Sequence, residues 1–157
     1  MCFCQCTRHP QESGMFTLHS QLAQDSIVIG EFQLSKLLLV NDSQYPWFIL
    51  VPQREDVSEI FQLDQVDRQQ LLNESCWLGE ALKDAFGAHK INVAALGNMV
   101  PQLHIHHIVR YRHDPAWPAP VWGKLPAVPY TEEQVGECIR RLQTVLTSNI
   151  RYGEGFR

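Results

Sequence analysis

The sequence predicts an α+β fold: one antiparallel sheet with its helices segregated to a single face. Three observations predict it. Short apolar runs follow one another too closely for parallel crossovers, which need a dozen residues or more. A long helical pattern separates the first three runs from the last two. A second helical pattern follows them, giving the order βββ-α-ββ-α, which reads as α+β. The 157 residues suit a single core without a disulfide or metal staple.

The elements follow in order. A short helix is predicted from Phe16 to Ala23. Ile27–Phe32 is β-branched and apolar, and Leu37–Val40 is a second strand ended by the turn formers Asn41, Asp42 and Ser43. Trp47–Val51 is a third strand, ended by Pro52. Asp64 is a good N-cap for the long helix. Its apolar positions are Val66, Leu71, Leu72, Cys76, Leu78, Leu82 and Phe86, and Gly87 is its stop. Strands over Ile91–Leu96 and Leu103–Arg110 come next, then an irregular Pro/Trp segment over 114–129. A last helix is predicted from Thr131 to Asn149, capped by Thr131 with Glu133 or Gln134 completing a capping box.

Composition excludes several classes. Hydrophobic residues make up 45% and charged residues 19%, too apolar for a disordered chain. The net charge of 13 − 17 = −4 gives no general attraction to nucleic acid or anionic membrane, and neither is expected as a partner. No run of 18 apolar residues suggests a transmembrane helix, and the first residues lack the apolar core of a signal peptide. A cytoplasmic location is therefore expected. Five cysteines are an odd number for a disulfide framework.

Residues 1–14 differ from the rest and are expected to be a disordered leader. Cys2, Cys4 and Cys6 within it could bind a soft metal, but their spacing is not that of structural zinc sites, and free thiols on a flexible tail are the simpler reading.

The informative stretch is Val100–Arg110, VPQLHIHHIVR. Alternation in a strand puts Gln102, His104, His106 and Arg110 on one face, and Leu103, Ile105, His107 and Val109 on the other. One face is then polar and wet, the other a core face, with His107 a semi-buried structural residue. A neutral imidazole is a nucleophile near pH 7. Attack on phosphorus needs a free Nε2 lone pair and an acceptor holding the proton on Nδ1. His106, Gln102 and Arg110 could donate to the phosphate oxygens. Two other readings stand beside this one: surface histidines with no special role, or half of a metal site completed by His19, His89, His113 or a carboxylate.

The stretch resembles the signature of the histidine-triad (HIT) family, in which three histidines alternate with hydrophobic residues. The likeness extends to Leu39-Val40-Asn41, a turn, and Phe48–Pro52, and covers about residues 16–125. The resemblance implies a HIT-like antiparallel sheet of about five strands with one long helix and a C-terminal helix. It implies a HIT-like domain over 15–125, with 126–157 packing on it. It also implies a homodimer without a cofactor or metal, acting on a nucleotide or nucleotidyl conjugate. His104 would be the nucleophile that attacks the α-phosphorus, and His106 would contact the phosphate. Asn41 or Asp42 would contact the ribose, with Asn98 and Arg110 as further nucleotide contacts. Ser43, Tyr45 and Trp47 could wall the nucleoside pocket, and one of Trp117 and Trp122 could meet a base or a second subunit.

Two departures stand out. Gln102 replaces the first histidine and cannot titrate. Gly97-Asn98-Met99 stands where many members have Gly-Gln-Ser/Thr, so the hydroxyl that assists the leaving group is missing. These departures motivate a second reading, a nucleotide-sensing module with weak or no catalysis.

Overall fold

The computed structural model describes residues 15–156. The 1–14 leader and its cysteine cluster lie outside the described residues. The order is α1 (Ser20–Asp25), β1 (Ser26–Glu31), β2 (Ser35–Val40), β3 (Trp47–Pro52), α2 (Gln65–Phe86), β4 (Lys90–Ala94), β5 (Ile105–Arg110), α3 (Glu132–Gln143) and β6 (Arg151–Tyr152). The six strands form one sheet in the order β4-β5-β3-β2-β1-β6, with every pairing antiparallel. Among the described residues no helix is long and apolar enough to cross a membrane.

The α+β expectation holds, and the sheet has one strand more than predicted. The sixth, β6, is two residues long and too short to show a period. It docks because Gly30 has no side chain: a Cβ there would sit 2.8 Å from the Arg151 carbonyl oxygen. The first helix starts four residues later than predicted, at Ser20, with His19 as its N-cap. The last helix stops at Gln143 rather than Asn149. Thr144 Oγ1 donates to the Arg141 carbonyl, and the chain then turns toward β6.

The long helix has the predicted ends. Asp64 accepts from the Asp67 amide at 2.8 Å, and Gly87 closes α2 in the left-handed region at φ 61°. Its buried face is Leu71, Glu74, Leu78, Ala81, Leu82 and Phe86. Val66, Leu72 and Cys76 are exposed, because they lie off the stripe that these residues define. Glu74 is fully buried and accepts from the Leu34 amide at 2.7 Å, tying α2 to the β1–β2 turn.

The sheet is covered on both faces. On one face, Phe48 and Leu50 of β3 and Ile105 and Val109 of β5 pack with Leu78, Leu82 and Phe86 of α2 and Ile139 and Leu142 of α3. On the other, Ile49, Val51 and Ile108 pack with Leu22 of α1 and with Ala116 and Val121 of the Pro/Trp segment. All six residues of β3 and of β5 are buried. The predicted wet face is therefore corrected. Alternation orders the residues as expected, but α1 and the 116–122 segment roof the polar side and convert an open surface into a cleft.

Candidate active site

His104 and His106 enter this cleft at the start of β5, which begins at Ile105 rather than Leu103. Their ring centroids are 4.9 Å apart at an interplanar angle of 73°. Each ring is held by its Nδ1, in opposite senses. His104 Nδ1 lies 2.7 Å from the Gln102 carbonyl oxygen. A carbonyl only accepts, so this nitrogen carries the proton, and the neutral ring has its lone pair on Nε2. His104 Nε2 makes no hydrogen bond among the described residues.

His106 is the reverse case. The Trp47 indole Nε1–H, a donor only, donates to His106 Nδ1 at 3.0 Å. This nitrogen is therefore unprotonated, and the ring proton sits on Nε2. Burial lowers the His106 pKa to about 3, helped by the neighbouring His104 and His107. The ring is neutral at physiological pH and presents one N–H donor. Trp122 closes the other side, 5.2 Å from His106 and 5.6 Å from Trp47, edge-on to both.

His107 points to the helix side of the sheet and is fully buried. Its Nδ1 donates to the Ile105 carbonyl at 3.2 Å, and Ser75 Oγ donates to its Nε2 at 2.7 Å. Burial lowers its pKa to about 4, although the bonds to Ile105 and Ser75 oppose the shift. It joins α2 to β5 and takes no part in the cleft.

The cleft has a volume of about 700 Å³ and is lined by His104, His106, Trp47, Ile49, Val40, Leu22, Asp25, His19, Trp122 and the loop from Leu96 to Val100. With Gln21 and Ser26 included, nine of its sixteen lining residues are apolar, aromatic or glycine and the rest are polar, a mixture that suits a small-molecule site. A second groove of about 430 Å³ adjoins it and shares Asp25, Val40, Trp47 and Trp122.

The proposed site residues divide into two groups. His104, His106 and Asn98 line the cleft, as does Met99, whose side chain is almost fully exposed at the rim. Gln102 does not line it. Its side-chain oxygen accepts from the His19 amide at 2.9 Å and its nitrogen donates to the Thr17 carbonyl at 2.9 Å. Both ends of the Gln102 amide thus engage the segment that leads into α1.

Arg110 also lies outside the cleft lining. Its guanidinium is buried, donates to both carboxylate oxygens of Asp114 at 2.8 and 3.0 Å, and also donates to Asn92 and the Ala119 carbonyl. Burial alone would raise the Asp114 pKa, but donors from Arg110, Tyr111 and Ala116 hold it below the usual value. The pair fixes the Pro/Trp segment.

Asn41 and Asp42 line the adjoining groove, not the cleft itself. Asn41 Oδ1 accepts from the Tyr130 amide, and Asp42 Oδ1 from the amides of Gln44 and Val128. Of the proposed pocket walls, Trp47 lines the cleft, Tyr45 is core, and Ser43 lies on a separate groove beside α3. Trp122 lines the cleft, while Trp117 packs under the Arg110 guanidinium at 5.6 Å. Of the candidate third metal ligands, His19 lines the cleft. His89 packs on Trp117, and His113 stacks on Tyr111. No metal-holding group of three or more His, Cys, Asp or Glu occurs among the described residues.

Sequence reasoning missed Leu22, Asp25 and the Trp47–His106 bond. The β3–β5 register pairs Trp47 with Ile108 and Ile49 with His106, so Trp47 lies diagonally from His106 on the same face. No local pattern in the sequence reveals that diagonal.

The HIT domain family matches residues 21–113, more than half of the chain. The fold is similar to a histidine triad protein from Marinobacter aquaeolei, with 54% identity and a TM-score of 0.84 over 87% of this chain and 99% of that one. It is similar to one from Sinorhizobium meliloti at 45% identity and a TM-score of 0.83, covering 84% and 98%. A third, from Bradyrhizobium japonicum, gives 45% and 0.81, covering 83% and 97%. No curated protein matches the chain. With the sheet, the cleft and these matches in agreement, the chain belongs to the histidine triad (HIT) family.

Proposed function

We propose that the protein is a nucleotide hydrolase or transferase that acts at the α-phosphate through a covalent nucleotidyl-histidine on His104. The observation that carries this reading is the opposed protonation of the two cleft imidazoles. His104 keeps its proton on Nδ1, against the Gln102 carbonyl. Its Nε2 lone pair is then the nucleophile. His106 keeps its proton on Nε2 because Trp47 donates to Nδ1. It is then a fixed donor for a phosphate oxygen, the arrangement that stabilises developing charge without reorganisation. The apolar wall of Leu22, Val40 and Ile49 suits a base and ribose, with Asn98 as a further polar contact.

The deciding experiment is rapid quenching of the full chain with a nucleoside 5′-phosphate ester, followed by intact-mass analysis. A gain of one nucleotidyl group, mapped to His104 and absent from His104→Ala, is expected. Turnover without an adduct, or an adduct on another residue, would falsify the reading. The alternative, nucleotide binding with weak catalysis, is favoured by two observations: the Gln102 amide is engaged elsewhere, and Met99 stands at the rim. Saturable nucleotide binding with no turnover of any ester would establish it.

A further inference from the structure

We infer that His19 is a third imidazole of this site: held in place by the Gln102 side chain, it donates its Nε2–H to an oxygen of the ligand's phosphate. The inference rests on the nucleotide reading of the cleft and adds to it a residue from outside the histidine strand.

His19 and Gln102 are 83 residues apart in the chain, yet the Gln102 amide grips the segment that carries His19 at two points. Its Oε1 accepts from the His19 amide and its Nε2 donates to the Thr17 carbonyl, each at 2.9 Å. Glu55 Oε1 adds a further tie by accepting from the Thr17 amide at 2.8 Å. Gln102 also holds the nucleophile, through its backbone: its carbonyl accepts from His104 Nδ1 at 2.7 Å. One residue thus sets the place of two rings, His104 by its main chain and His19 by its side chain. Both rings line the same cleft, together with His106.

The proton of the His19 ring is placed by the same logic as that of His106. Its Nδ1 accepts from the Gln21 amide at 3.1 Å as the N-cap of α1. A backbone N–H only donates, so Nδ1 is unprotonated and the neutral ring carries its proton on Nε2. His19 borders two spaces, and the cleft suits an anion better. The other is a hollow of about 350 Å³ that it shares with Glu55 and Asp56, whose charges repel a phosphate. The cleft presents the lone pair of His104 and the Nε2–H of His106. Asp25, the carboxylate in the cleft lining, accepts from Gln21 Nε2 at 2.7 Å. A phosphate poised before His104 then has two imidazole donors, His106 and His19. Gln102, which does not line the cleft, acts through His19 as a positioning residue.

The test uses the native full chain with AMP and adenosine as probes and long-range ¹H–¹⁵N spectra of the histidine rings as the readout. AMP should shift the His19 Nε2 resonance, and adenosine should leave it in place. His19→Asn keeps a capping oxygen for the Gln21 amide but removes the ring donor. It should weaken AMP binding about tenfold or more, the usual worth of a hydrogen bond to a charged group, and leave adenosine binding unchanged. Gln102→Ala keeps the carbonyl that holds His104 and should weaken AMP binding similarly. The double variant should lose no more than either single one, because both act through one ring. Equal responses of His19 to AMP and adenosine, native AMP affinity in His19→Asn, or additive losses would each overturn the inference. The ring spectra need no variant and decide the matter where a variant fails to fold. The covalent reading is judged separately, by the His104 adduct formed from a nucleotidyl ester. An adduct with no AMP response at His19 overturns this inference alone. An AMP response at His19 without an adduct overturns the covalent step alone, and absence of AMP binding overturns both.

Discussion

His104 and His106 lie 4.9 Å apart and carry their ring protons on opposite nitrogens, one held by a carbonyl and the other by an indole. Two identical side chains therefore present a lone pair and a donor to the same cleft. The division of labour is set by their neighbours, Gln102 and Trp47.

This division predicts different losses for the two rings. His104→Ala should abolish adduct formation. His106→Ala should keep the adduct but lower the rate of its formation by about 10²–10³, the usual cost of one oxyanion donor. His106→Gln, which still offers an N–H, should recover part of that loss. Single-turnover kinetics on an activated nucleotidyl ester separates these cases. Equal losses in His106→Ala and His106→Gln would argue against a donor role.

Trp47 sets the state of His106, and the ring itself can report it. With a pKa of about 3, His106 should show no titration between pH 8 and pH 5 and a protonated Nε2 throughout. Trp47→Phe removes the indole donor, so a mixture of tautomers is expected, while the pKa stays low because burial is its main cause. Long-range ¹H–¹⁵N spectra of the histidine rings measure both. An unchanged His106 spectrum in Trp47→Phe would show that the indole is not what fixes the proton.

Acid stability follows from the two depressed histidines. The folded pKa values of His106 and His107 lie near 3 and 4, below the unfolded value. As pH falls below about 6.5, the unfolded rings take up protons that the folded rings refuse. Their contribution to stability is thus complete above that pH and is lost on the way down to the folded values. Between pH 7 and pH 5 each ring should cost roughly 2 kcal/mol. His107→Gln should remove one ring's share of this loss. Urea unfolding of both proteins at the two pH values is the measurement, and parallel losses would contradict the assignment.

The Arg110–Asp114 pair should matter for stability rather than ligand binding. Its side chains are almost wholly buried, and Asp114 also accepts from the amides of Tyr111, Ala116 and Trp117. Asp114→Ala would leave the guanidinium buried without its partner, which typically costs about 3–5 kcal/mol. Denaturant midpoints should fall accordingly. Where the variant remains folded, nucleotide affinity is expected to change little, whereas a large affinity loss in folded protein would place Arg110 in the ligand site.

Sheet closure rests on one glycine. Gly30→Ala would bring a Cβ to 2.8 Å from the backbone oxygen of Arg151, which no side-chain rotation relieves. A loss of about 1–3 kcal/mol is expected, with faster amide exchange at Arg151 and Tyr152. Native exchange rates there would show that β6 adjusts without cost.

Most of the architecture was legible because local signals agreed. Asp64 and Gly87 bracket α2 by capping chemistry that operates within a few residues. Three of the apolar runs became β1, β2 and β3 with ends shifted by only one or two residues. Alternation correctly put His104 and His106 on one face and His107 on the other. The errors share a different cause. Val66, Leu72 and Cys76 are apolar but lie off the packing stripe, and β6 is held by pairing with β1 rather than by any periodicity of its own.

The sequence by itself determined the strand that bears the histidines, the face each one takes and the helix that backs them, because these depend on periods of two and 3.6 residues and on end caps. Only the tertiary structure decided which nitrogen of each ring holds its proton. It also decided that Gln102 grips Thr17 and His19, and that Arg110 is sealed against Asp114. Those outcomes depend on partners brought together from distant parts of the chain or by the turn after β5. A donor or acceptor acquires its chemical role from whatever occupies the space within about 3 Å of it, and spacing along the chain does not specify that neighbour.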